Sequence, residues 1–97
     1  MKRKREIVEF DWDFGNRTKN IKHDVADSEA EEVFFDSKKV ITKDLLHSQG
    51  ENRCILLGKT KRGRLLYVVF TQRKKKARII SARDINKKEV SLYEKTV

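Results

Sequence analysis

Two histidines, three arginines near strand ends and a lysine-rich turn are the side chains of this 97-residue chain that are equipped for chemistry. His23 and His47 alone have an ordinary pKa near neutrality, so any proton transfer falls first to them. His23 also reads as a cation placed at a helix C-terminus, where the backbone dipole favours it. His47 lies in a polar stretch beside Ser48 and is the freer of the two. The arginines raise a different possibility. In "ARIISARDINKKE" (77–89), Arg78 and Arg83 stand inside what should be a strand. If "RKKK" (73–76) is the loop of a hairpin, Gln72 opposes Ala77, and counting back sets Arg83 opposite Leu66 with Arg64 diagonal to it on the same face. Two guanidinium groups side by side repel unless an anion lies between them, so the pair would form a phosphate clamp. Alternatively each arginine simply reaches water or pairs with a carboxylate such as Glu89. A one-residue register slip would separate the pair. Arg78 is expected to face the other way and guard an edge strand, while Arg73, Lys74, Lys75 and Lys76 form a solvated turn that can add nonspecific phosphate affinity.

Other chemistries lack their residues. With no second Cys or His at ligand spacing, no metal site is expected. No nucleophilic triad and no phosphate-cradling glycine loop is present, and a body this small has little room to enclose a cofactor. The single Cys54 cannot form an internal disulfide, no signal-peptide pattern opens the chain, and a reducing cytosol is the simplest compartment. Twenty-four Lys and Arg against fifteen Asp and Glu leave a formal charge of +9. Nucleic acid, an acidic protein or an anionic membrane could answer such a charge. Membrane is the weakest reading, because no helix pairs the basic clusters with a Trp and Leu face. Residues 1–6, with Lys2 to Arg5, read as a basic flexible tail, and 7–97 as one domain.

The elements that would position these residues read as α+β. "IVEFDWD" (7–13) alternates as a half-buried strand with Val8, Phe10 and Trp12 on one side. "FGNRTKNIKHD" places Phe14, Thr18 and Ile21 at helical spacing, predicting a short amphipathic helix that ends near His23 and Asp24. Ser28 and Glu31 suggest a capping box opening a second helix with Ala30, Val33 and Phe34 buried. "KKVIT" (38–42) is an edge strand and "KDLLHSQGEN" (43–52) a polar loop. A meander follows: "RCILLGKT" (53–60), "RLLYVVFTQ" (64–72) and "ARIISAR" (77–83), its middle strand apolar on both faces and therefore central. Asn86 and Glu89 specify the start of a last helix, with Ile85 and Val90 as a hydrophobic staple and Tyr93 extending its apolar face. The order is strand, two helices, a four-stranded antiparallel run and a C-terminal helix, with helices packed on a sheet.

Taken in order, "FDWDFGNRTKNIKHDV", "EAEEVFFD", "HSQGENRCILLG", "RGRLLYVVFTQR" and "RIISARDINKKEVSLYE" resemble the segments of the BrnT toxins of type II toxin–antitoxin systems. The resemblance spans roughly residues 9 to 94. It implies a RelE-like fold and a ribonuclease that halts translation, held inactive by a BrnA antitoxin whose ribbon-helix-helix part would be the only route to operator DNA. The lysine and histidine of the family's "KHGV" block match Lys22 and His23; the "HSxGE" block matches His47 and Glu51; the following arginine matches Arg53. The arginines of "RGR" and "SAR" match Arg64 and Arg83, and the tyrosine of the closing "YE" matches Tyr93. Asp24 departs from the family, which usually has glycine there, and aspartate tolerates a left-handed C-cap less well. A shifted helix end would move His23. The residues and the resemblance agree on an RNA-directed basic surface, while only the resemblance supplies the reaction. A noncatalytic nucleic-acid-binding module is the competing reading, and an interaction domain for an acidic protein a third.

Overall fold

The computed structural model describes residues 9–44 and 52–95; the basic tail, and the segment holding His47, Ser48, Gly50 and Glu51, lie outside them. Five strands form one sheet in the order β1-β5-β4-β3-β2. They are β1 (Glu9–Phe10), β2 (Val40–Lys43), β3 (Arg53–Lys59), β4 (Leu65–Arg73) and β5 (Lys76–Asp84). The helices are α1 (Asp27–Glu32) and α2 (Lys87–Lys95), with 3-10 turns at Lys19–His23 and Val33–Phe35. The sheet is mixed rather than wholly antiparallel, because β1 runs parallel to β5.

Alternation in β4 sends Leu66, Val68 and Phe70 into a core with Leu56, Ile79, Ala82, Val25, Ala30, Val33 and Phe34. The face opposite carries Tyr67 and Val69. The rings of Phe10, Phe34 and Phe70 interlock edge to face at 4.9–5.1 Å. Gly58 permits the close approach of the helical layer, since a Cβ there would meet Val33 at 2.9 Å. Trp12 packs on the same core and donates from Nε1 to Glu31 Oε2 at 2.6 Å.

The expected helix over residues 14–23 is the main local correction. Phe14 and Ile21 are 97% and 65% exposed, and the 3-10 helix buries Asn20 instead, with Asn16 buried just before it. The reason is the short β1, which leaves the outer side of β5 unpaired beyond Ala77. Asp11 N donates to Ala77 O at 2.9 Å. From there Asn16 Nδ2 donates to Ile79 O (2.9 Å), and Asn20 Oδ1 accepts from Ala82 N (2.8 Å). Two amide side chains thus replace the missing strand, and a buried backbone donor or acceptor needs such a partner.

Capping separates the two true helices. The first begins two residues earlier than the Ser28–Glu31 pattern suggests: Ala26 stands at the N-cap and its N–H is accepted by Glu29 Oε1 at 3.0 Å. In α2 the reciprocal pair forms as expected, with Asn86 N to Glu89 Oε1 and Glu89 N to Asn86 Oδ1 both at 2.9 Å.

Candidate functional site

The β4–β5 register decides where the arginines stand. Gln72 does oppose Ala77, but Arg73 also pairs with Lys76, so the turn has only Lys74 and Lys75 at its tip rather than four loop residues. Lys74 takes the left-handed conformation there, at φ 59. Between Val69 and Phe70 the register shifts by one, and Arg83 comes opposite Tyr67, not Leu66. A β-bulge turns every later side chain of β5 to the other face. The side-by-side clamp of Arg64 and Arg83 is therefore not formed. The same shift brings Arg83 to the face that carries Arg78, which stands opposite Thr71.

Each arginine is instead held by carboxylates. Arg64 reaches the helical layer: Nε donates to Asp84 Oδ1 (2.8 Å), and Nη1 to Asp24 O (2.7 Å) and Glu29 Oε1 (3.1 Å). Its Nη2 lies 3.5 Å from His23 O. Hydrogen bonding to Asp84 raises the Arg64 pKa and lowers that of Asp84. Arg83 grips Glu89 with both arms at 3.0 and 2.8 Å, donates to Asp84 O at 2.9 Å, and lies 3.9 Å over the Tyr67 ring. The Glu89 bond raises the Arg83 pKa, and although burial opposes it, Arg83 holds the Glu89 carboxyl below its usual range. Side-chain exposure separates the two: 26% for Arg64 against 38% for Arg83. With all three guanidinium nitrogens engaged, Arg64 acts as a brace for the Lys22–Asp24 segment. Arg83 keeps more of its surface open.

Asp24 resolves the departure from glycine. It adopts the left-handed conformation at φ 60 and caps the 3-10 helix with its own N–H on Ile21 O at 2.8 Å. The helix end is thus kept, and Lys22 and His23 project from it exposed.

His23, Arg64, Asp84 and Arg83 consequently form a linked corner at one end of the sheet. Arg53, opposite Thr71, and the Arg73–Lys76 turn lie at the other end. Tyr93 belongs to neither: it is buried, and its hydroxyl donates to Asp36 Oδ2 at 2.6 Å. Burial, reinforced by that bond, pushes its pKa up to about 12, which makes it a poor base. Arg78 is clamped by Asp13 at 2.9 and 3.0 Å. A concavity of about 700 Å³ between α1 and the β3–β4 turn is lined by Glu31, Glu32 and Asp36 as well as Lys59 and Lys61, a mixed charge unsuited to phosphate. His47 lies outside the described residues.

The sequence names Glu89 as a partner, and it holds Arg83; what it does not show is Asp84 and Glu29 on Arg64, Asp13 on Arg78, and the asparagines that carry the 3-10 helix. The Asn16–Asn20 spacing, one helical turn, was the available signal. Among the described residues no helix is long and apolar enough to cross a membrane.

A small basic α+β domain with an exposed histidine whose backbone is braced by Arg64, itself linked through Asp84 to Arg83, carries groups of the kind that handle a phosphodiester. The family model for "Ribonuclease toxin, BrnT, of type II toxin-antitoxin system" matches residues 12–89, and the chain belongs to that family. The family implies an RNA target and an antitoxin partner. No curated protein matches the chain significantly.

Proposed function

We propose that the chain is a metal-independent endoribonuclease toxin of RelE-like fold that inhibits translation and is neutralised by a BrnA-type antitoxin. The observation that carries the chemistry is the corner in which Arg64 bonds the carbonyls of His23 and Asp24 while Asp84 links Arg64 to Arg83. In this reading a base, His23 or His47 or Lys22, takes the proton of the substrate's 2′-hydroxyl. The 2′-oxygen attacks phosphorus, and the 5′-oxygen leaves with a proton from a second of these groups. Arg83 stabilises the charge that builds on the phosphate, and Arg64 fixes the segment that carries His23. Arg53 and the Arg73–Lys76 turn extend RNA contact along the sheet. Because Glu89 and Asp84 occupy the Arg83 donors, phosphate must displace part of that network as it enters.

The test is an RNA carrying a single 2′-deoxy substitution at the cut site. Cleavage is expected to be abolished with binding spared, and cleavage of all-ribose RNA is expected to persist in EDTA. Cleavage of the deoxy substrate, or EDTA inhibition reversed by magnesium, rules the mechanism out.

A further inference from the structure

The sheet has a second edge, and among the described residues nothing pairs with it. Asp44 N donates to Arg53 O at 2.8 Å, which marks 44 and 53 as a hydrogen-bonded pair of the β2–β3 ladder. Pairing then alternates, so Thr42 and Val40 point their backbone groups inward to Ile55 and Leu57. Ile41 and Lys43 point theirs outward. The strand is short, Ile41 is 47% exposed, and Lys38, Lys39 and Lys43 fall within residues 37–43 with no carboxylate among them.

We propose that this edge is the antitoxin's docking strand: an extended, acidic segment of the antitoxin adds to β2 as a sixth strand of the sheet. The proposal rests on the toxin reading above for the existence of the partner. Three observations choose the occupant. Outward N–H and C=O groups at alternate residues are matched by another polypeptide backbone, and RNA cannot reproduce that spacing. The three lysines call for negative side chains beside the added strand. A second copy is disfavoured by the same charges, since a two-fold β2 pair about Ile41 would set Lys43 against Lys39 of the other copy, and like charges directly opposite destabilise a ladder. The lysines also keep the free edge from self-association, as edge lysines commonly do. In the sheet β3 and β4 lie between the docking strand and β5, which carries Arg83, so inhibition requires the rest of the antitoxin to extend from β2 across the molecule.

Residue-resolved amide exchange on the full chain, free and with its co-expressed antitoxin, tests this. The Ile41 and Lys43 amides should exchange freely in the isolated chain and slow by about 100-fold or more in the complex. Lys39→Glu with Lys43→Glu should weaken the complex by about tenfold or more while RNA cleavage by the free toxin is retained. A complex in which both amides stay fast overturns the proposal. So does protection that grows with concentration of the free chain alone, which would assign the edge to a second copy. If no complex forms, the docking strand and the antitoxin both fall, while cleavage of RNA by the free chain separately decides the ribonuclease reading.

Discussion

Along the outer side of β5, the backbone groups of Ala77, Ile79 and Ala82 are satisfied by Asp11, Asn16 and Asn20 from within the chain. Along the outer side of β2, Ile41 and Lys43 offer the same kinds of group with no described residue opposite. Both are sheet edges of one small protein, yet one is sealed by buried amides and the other is left open among lysines. An edge that is closed internally contributes to folding; an edge guarded only by charge stays available to a partner of opposite charge. The sealed edge also carries the segment with Lys22 and His23, so fold stability and placement of the candidate base share one set of hydrogen bonds.

The largest effect should come from breaking the seal. Asn16 is 3% exposed and makes three bonds, to Asp11 O, Ile79 O and from Asp13 N, all between 2.8 and 2.9 Å. Asn16→Ala strands those groups, and losing buried partners at about 1–3 kcal/mol for each unsatisfied group predicts a loss of about 3 kcal/mol or more, read by urea unfolding. Asn20→Ala should cost less, because it strands only Ala82 N while removing an Nδ2 that is already buried without a partner. A loss below that of an ordinary surface substitution at both sites would show that the edge is not sealed by these amides.

A middle-sized effect sharpens the link from seal to site. Arg64→Ala removes bonds to Asp84, Glu29 and the carbonyls of Asp24 and His23, and is expected to destabilise by about 1–2 kcal/mol, discounted for partial exposure of the pairs. Arg83→Ala should destabilise by about 1 kcal/mol or less, since the arginine is partly exposed and the Glu89 carboxylate keeps its bond from Asn86 N. RNA cleavage should fall in both. Equal stability losses, or full activity without Arg83, would break the division into brace and phosphate ligand.

Those expectations differ from what the sequence supports, and the difference has physical causes. The meander, the central β4 and the Asn86–Glu89 cap were legible because each rests on contacts a few residues apart or on strict alternation. The turn register was legible at Gln72 and Ala77 and then lost, because no residue type near Ile80 announces a bulge. That single shift undid the Arg64–Arg83 clamp and brought Arg83 round to the Arg78 face. Asn16 and Asn20 read as solvent-facing because their role depends on β1 stopping after Phe10, which is a tertiary fact. The candidate residues of the site were legible as short blocks in order, whereas their division between two ends of the sheet was not.

The smallest effect concerns the open edge in the free chain. Proline removes a backbone N–H, which is costly only where that N–H is used. Ile41 N points away from β3, so Ile41→Pro should leave the melting temperature within a few degrees of the parent, a change of about 1 kcal/mol or less. Thr42 N points toward Ile55, so Thr42→Pro at the neighbouring position should cost about 3 kcal/mol through the lost ladder bond and the ring's clash. The two variants carry the same residue one step apart, so backbone stiffness largely cancels between them. A reversed order of melting temperatures would mean that Ile41, not Thr42, is bonded to β3, and the outward-facing groups on which docking depends would then be assigned to the wrong residues.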